Sequence, residues 1–160
     1  MFKHQYKTNF PPANKPVMVW DGDCGFCRYW MLRWKKISGN QIAYEPYQES
    51  YHKYDDIPVE RFKEAVQFIE TDGQIYSGPA AAYRSLHSLD KYKWLYNLYL
   101  SNRFFKKVSD HAYYFIAQRR GLFLQITSLF FGKNPLHFKP YWLIYLLAII
   151  CMVILIMMES

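Results

Sequence analysis

Short apolar runs, helical stripes and one long apolar block divide the chain into predicted elements. Pro16-Val-Met-Val-Trp20 is a brief apolar run bounded by turn formers, which predicts a buried strand. Asp21-Gly22-Asp23 turns the chain. From Gly25 to Ile37 the period becomes helical, with Phe26, Trp30, Trp34 and Ile37 on one stripe and Arg28, Arg33, Lys35 and Lys36 on other faces. Ser38-Gly39-Asn40 stops that helix. Gln41 to Tyr47 predicts a second strand, and Glu49 to Phe62 is polar, a loop with a short helix. Ala65 to Thr71 is β-prone, Asp72-Gly73 signals a hairpin, and Gln74 to Ser77 returns. Gly78-Pro79 opens a helix that continues through Ala80 to Leu89. Lys91 to Arg120 is helical and dense in aromatics. Leu122 to Phe131 is apolar but too short to span a bilayer, so it either lies in an interface or packs under the domain. The order β-α-β-(α)-β-β-α followed by helices predicts an α/β fold with a mixed sheet flanked by helices.

The last block differs from everything before it. Tyr141 to Met158 runs 18 residues without a charge, a Gly or a Pro. As a helix it measures about 27 Å, close to the hydrocarbon thickness of a bilayer. Tyr141, Trp142 and Tyr145 stand at its start, where amphipathic rings favour the interface. Residues 141–158 are therefore expected to form a transmembrane helix in contact with lipid, making the chain tail-anchored and single-pass. Arg119, Arg120, Lys133 and Lys139 precede the span and no Lys or Arg follows it. The positive-inside rule then keeps residues 1–140 in the cytoplasm. The N-terminus has no apolar stretch of the kind a secretory signal needs.

Composition narrows the remaining choices. The 160 residues fit one domain with an appendage. With 51% hydrophobic and 21% charged residues, intrinsic disorder is excluded. Three cysteines exclude a disulfide-dense secreted module. Aromatics at 20% demand a heavy core or membrane contact. The net charge of +7 fits a face held near anionic lipid headgroups, and no nucleic-acid motif accompanies it.

One segment carries chemistry, Trp20-Asp-Gly-Asp-Cys-Gly-Phe-Cys-Arg28. Cys24 and Cys27 form a C-x-x-C between a strand and a helix, and residues three apart in a first helical turn share a face. The helix N-terminus favours the Cys24 thiolate, the attacking species in disulfide exchange, and leaves Cys27 to resolve the mixed disulfide. Gly25 permits close approach of a substrate backbone. Structural zinc usually draws four ligands from two such pairs. Here Cys151 lies in the apolar block, and His4, His52, His87, His111 and His137 have no ligand spacing. Covalent haem needs His after the second Cys, where Arg28 stands. No metal and no organic cofactor is expected. Two unreactive thiols are the bland alternative. Asp23 is expected to cap the helix. Asp21 either accepts a proton from Cys27 or fixes the turn by its own hydrogen bond. Arg119-Arg120 reads as membrane-proximal surface.

These residues also carry a resemblance. Asp21-x-x-Cys24-x-x-Cys27 after an apolar strand resembles the DCC family of thiol-disulfide oxidoreductase-like proteins. Ala65 to Leu86 is similar to that family's strand–Asp-Gly–strand–Gly–helix section. Tyr113 to Leu122 is similar to its Tyr-x-x-x-Ala-x-x-Arg helix, with Ala117 and Arg120 in register. The resemblance implies a thioredoxin-like fold over 16–122 and a disulfide oxidoreductase site of Cys24, Cys27 and Asp21. An N-terminal extension (1–15) would precede it, and a membrane-proximal connector (123–140) would lead to the anchor. Lys63-Glu64-Ala65 occupies the stretch where thioredoxins carry a substrate-holding cis-Pro. Two functions follow. One is a membrane-anchored enzyme acting on a protein disulfide or dithiol. The other is a non-catalytic subunit of a membrane complex that uses the fold as a scaffold.

Overall fold

The computed structural model describes residues 7–87, 89, 92–137 and 139–159, with side chains through 152. Four short strands form one mixed sheet in the order β2-β1-β3-β4. Strand β1 (Val17–Trp20) pairs parallel with β2 (Ala43–Pro46) and antiparallel with β3 (Gln67–Ile69), which pairs antiparallel with β4 (Ile75–Ser77). Period-2 alternation divides the core between the two faces. Val17, Val19, Ile69 and Ile75 pack with Tyr54, Ile57 and Phe62. Met18 and Phe68 point the other way, to Met31, Ile42 and Ala81.

The β3–β4 turn shows why Asp72-Gly73 reads as a hairpin. Asp72 Oδ1 accepts from the Gln74 N–H at 2.9 Å, and Gly73 sits at φ 87°. A Cβ there would also lie 2.6 Å from the Thr8 carbonyl oxygen, so glycine is required by conformation and by space. That contact belongs to the N-terminal segment. Thr8 N–H donates to the Gly73 carbonyl at 2.9 Å and its hydroxyl to Asp56 at 2.6 Å. Residues 7–9 are thus sewn onto the sheet edge; residues 1–6 of the expected extension lie outside the described residues.

Helix α1 (Gly25–Ser38) ends where Gly39 takes φ 56° and its N–H reaches the Lys35 carbonyl at 3.0 Å. Lys35 and Lys36 in the last turn complement the helix dipole. The polar stretch after β2 contains α2 (Tyr47–Ser50), a 3-10 turn and α3 (Val59–Glu64). Helix α4 (Pro79–His87) starts at Pro79, as expected. Its expected continuation to Leu89 crosses residue 88, which lies outside the described residues. The aromatic helical region divides into α5 (Lys93–Ser101) and α6 (Arg103–Gln118), because Asn102 leaves helical geometry and caps α6 by accepting from the Phe105 N–H at 2.9 Å.

Helix α7 (Arg120–Phe131) takes the second of its two expected placements. It packs against α1, with Phe123 edge-on to Phe26 at 6.4 Å and the Tyr29 hydroxyl donating to the Gly132 carbonyl at 3.1 Å. The expected domain limit at 122 falls inside this helix. Helix α8 (Tyr141–Glu159) follows and meets α7 through Phe130 and Tyr145, 6.1 Å apart. Among the described residues no helix is long and apolar enough to cross a membrane. The span expected at 141–158 coincides with α8 and includes residues 153–158, whose side chains lie outside those described.

Candidate active site

Strand β1 delivers Asp21 to the C-terminal edge of the sheet, and α1 starts four residues later. Cys24 itself is the N-cap. Its backbone is extended (φ −87°, ψ 108°) and its sulfur accepts from the Cys27 N–H at 3.2 Å. This corrects the expectation that Asp23 caps the helix. The Asp23 carboxylate turns instead to Gln48, whose Nε2 donates to it at 3.1 Å. The cap is chemically consequential. A sulfur that accepts an orphan helix N–H is stabilised as thiolate. The hydrogen-bonding relation to Cys27 is the strongest influence, and the positive charge of Arg120 adds to it. Together they outweigh burial and Asp21 and bring Cys24 down to about 6. Cys27 moves the opposite way. Sharing its hydrogen bond with an ionised Cys24, and being desolvated, it is held as a thiol far above the ordinary range. Both thiols are free and half-buried, whereas Cys151 is exposed on α8.

The turn before them is clamped by groups distant in sequence. Asp21 Oδ1 accepts from the Asp23 N–H at 3.2 Å and from Gln48 Nε2 at 2.9 Å. Gln48 Oε1 in turn accepts from the Gly22 N–H at 3.0 Å. A Cβ on Gly22 would fall 2.8 Å from Pro46 Cβ, so only glycine lets β2 and the turn close this tightly. Asp21 Oδ2 takes the Arg120 guanidinium at 3.1 Å. Of the two roles open for Asp21, these bonds realise the fixing of the turn. Among the described residues no hydrogen bond joins its carboxylate to Cys27.

Arg120 is the residue that sequence reasoning misassigned. It opens α7, and its other terminal nitrogen donates to the carbonyls of Lys63 (3.0 Å) and Glu64 (2.9 Å). One side chain therefore ties the Asp21 turn to the C-terminal turn of α3 while its charge acts on both sulfurs. Arg119 does face outward, stacked 4.3 Å over Phe115.

A family model described as DCC1-like thiol-disulfide oxidoreductase matches residues 18–125. The chain belongs to the DCC1-like thiol-disulfide oxidoreductase family. No curated protein and no solved structure matches it. The family match takes in Arg120 and the start of α7 as well as the C-x-x-C. It also takes in Tyr113, whose hydroxyl accepts from the Val66 N–H at 3.2 Å. Desolvation of that hydroxyl pushes it up to about 12, so it stays protonated near neutrality. Tyr113, Ala117 and Arg120 follow one another in the sequence at helical spacing. That spacing was the signal for both residues.

Gly25 has a different neighbour from the one expected. A Cβ there would lie 3.0 Å from Leu124 Cδ2, so the close approach is made by α7 and not left open to a substrate backbone. Among the described residues no three His, Cys, Asp or Glu side chains gather in a way that could hold a metal ion.

Proposed function

We propose that this chain is a thiol-disulfide oxidoreductase of thioredoxin-like topology, acting on a protein disulfide or dithiol. The observation that carries the reading is geometric: Cys24 caps α1 and its sulfur accepts the Cys27 N–H at 3.2 Å, which favours its thiolate and keeps the proton on Cys27. At neutral pH Cys24 is mostly thiolate and attacks a substrate sulfur, expelling the substrate's other sulfur as thiolate. Cys24 then carries no charge, and the interaction that kept the proton on Cys27 is gone. Cys27 ionises and attacks Cys24, forming the intramolecular disulfide and releasing the substrate's second thiolate. Asp21 serves this sequence as a positioning residue through Arg120 and Gln48.

The same proposal tethers the enzyme to a membrane through 141–158, with the N-terminal domain on the cytoplasmic side. Exposure of every residue from Trp142 to Leu147 supports contact with lipid. A second reading, a scaffold subunit of a membrane complex, is favoured by the apolar side chains that α5 and α6 leave uncovered: Trp94, Leu100, Phe104 and Val108 are all half or more exposed.

A redox titration of the full-length chain in detergent, read by thiol alkylation and mass, tests the enzyme. A reversible Cys24–Cys27 disulfide with a potential between about −270 and −120 mV is expected. A pair that never closes, or closes only on unfolding, overturns the enzyme and leaves the subunit reading.

A further inference from the structure

An open cavity of about 690 Å³ sits where α7 ends and α8 begins. The chain between the two helices is pinned by side chains of α1 and by its own backbone. Gly132 leaves α7 at φ 85°, and the Tyr29 hydroxyl donates to its carbonyl at 3.1 Å. Lys36 Nζ donates to the Leu136 carbonyl at 2.7 Å, and the Lys139 N–H to the Phe131 carbonyl at 3.1 Å. Lys133, His137 and Lys139 line the cavity together with Asn134. Asn134 Oδ1 accepts from the Leu136 N–H at 3.0 Å, so its amide nitrogen is the remaining donor. No carboxylate lines the cavity, and none among the described residues pairs with Lys133, His137 or Lys139. The sequence supplies none nearby, since His111 to Met158 contains no Asp or Glu. Uncompensated cations around a preformed hollow call for an anion.

The rest of the wall indicates what carries that anion. Leu129, Tyr141 and Tyr145 contribute apolar surface, the Tyr145 hydroxyl being engaged with the Leu129 carbonyl at 3.4 Å. From Trp142 to Leu147 every residue of α8 is exposed, so an apolar track leads away from the cavity. A charged head with a hydrocarbon tail satisfies both parts. The volume lies within the range of small-molecule sites and has room for a phosphate with its glycerol. Two lysines, a histidine and an amide exceed what the two oxygens of a fatty carboxylate engage. We propose that this cavity binds the phosphate of an anionic phospholipid, whose acyl chains lie along α8. A soluble phosphate shares the chemistry read by Lys133 and Lys139 but lacks the tail. The site rests on the placement of α8 in lipid, adds a lipid preference to it, and is independent of the thiol chemistry.

The test is native mass spectrometry of the full-length chain in detergent, given phosphatidylglycerol or phosphatidylcholine at equal mole fractions. One retained phosphatidylglycerol per chain is expected, with phosphatidylcholine, which has no net charge, bound about tenfold more weakly. Lys133→Gln and Lys139→Gln should each weaken phosphatidylglycerol about fivefold. Both lysines are exposed, so neither change threatens the fold. Lys106→Gln with Lys107→Gln on α6 removes as much charge outside the cavity and should leave binding unchanged. Equal losses from the two pairs, or no loss from either, overturn the site. Inorganic phosphate added to the same sample decides the source. No displacement is expected; displacement makes this a site for soluble phosphate and overturns the lipid. Flotation of the same chain with neutral phosphatidylcholine vesicles separates the site from the anchor. Flotation without any preference for phosphatidylglycerol sinks the site alone. Failure to float sinks the membrane placement of α8, and the lipid site with it.

Discussion

The two faces of the central sheet arise from one alternation, yet they are finished differently. On one face Val17, Val19, Ile69 and Ile75 meet Tyr54 and Ile57, all buried, in a closed aliphatic and aromatic layer. On the other, Met18 and Phe68 meet Met31 and Ala81, but the tryptophans beyond them leave a cavity and three unpaired donors beside Cys27. A fully packed face contributes stability. A face that carries voids and orphan polar groups gives some of it up, and proteins retain such features at sites of function. Substitutions on the two faces should therefore behave unlike one another.

The largest effect is expected on the closed face. Ile69 is completely buried within it. Ile69→Ala removes three buried carbons and leaves a void, and should lower unfolding stability by about 2–5 kcal/mol. Chemical denaturation followed by circular dichroism measures it. A loss below about 1 kcal/mol would mean that this face collapses around the void and is no better packed than its counterpart.

Where the faces meet the turn, Arg120 joins structure to chemistry. Arg120→Met leaves Asp21 without its cation and two carbonyls at the C-terminus of α3 without their donor, at a cost on the order of 1–3 kcal/mol. It should also move the ionisation midpoint of Cys24, read by the pH dependence of alkylation. The wild-type midpoint is expected near 6. Loss of a positive charge raises it, though not to 9, because the interaction with Cys27 remains the strongest influence. The sign for stability follows. A thiol whose folded value lies below its unfolded value stabilises the fold fully above about 9 and loses that contribution as pH falls through 6. The variant should therefore gain less stability than wild type between those limits. An unmoved midpoint would show that the Arg120 charge does not reach the sulfur.

Much of this was legible in the residues, and the remainder has a physical reason for being hidden. Strand β1, helix α1 and the Asp72-Gly73 hairpin are local, set by periods of 2 and 3.6 and by glycine at positive φ. The Cys24–Cys27 pair follows from helical spacing alone. The clamp around Asp21 does not, because Gln48 and Arg120 lie 27 and 99 residues away and periodicity carries no record of such meetings. In the sequence Arg120 reads with Arg119 as surface because adjacent helix-end cations usually are, and only its spacing from Tyr113 sets it apart. Asp23 reads as the cap because carboxylates outrank thiols in that role. The sulfur prevailed because Gln48 already holds both aspartates. The stripe on α1 divides for a similar reason. Phe26, Trp30 and Trp34 face the cavity, while Ile37, one turn past its end, is 40% exposed.

The smallest effect is expected from Trp34→Phe on the open face, and it bears most directly on the comparison. Replacing indole by phenyl removes buried apolar atoms, which destabilises. It also removes a buried N–H that has no acceptor, which stabilises by a similar amount. In a wall that already borders a cavity, fewer contacts are lost than in a closed layer. The two contributions should nearly cancel, leaving a change within about 1 kcal/mol, measured in the same denaturation experiment as Ile69→Ala. A cost above about 3 kcal/mol would mean that the Trp34 N–H is satisfied in the folded protein and that the open face is as finished as the closed one.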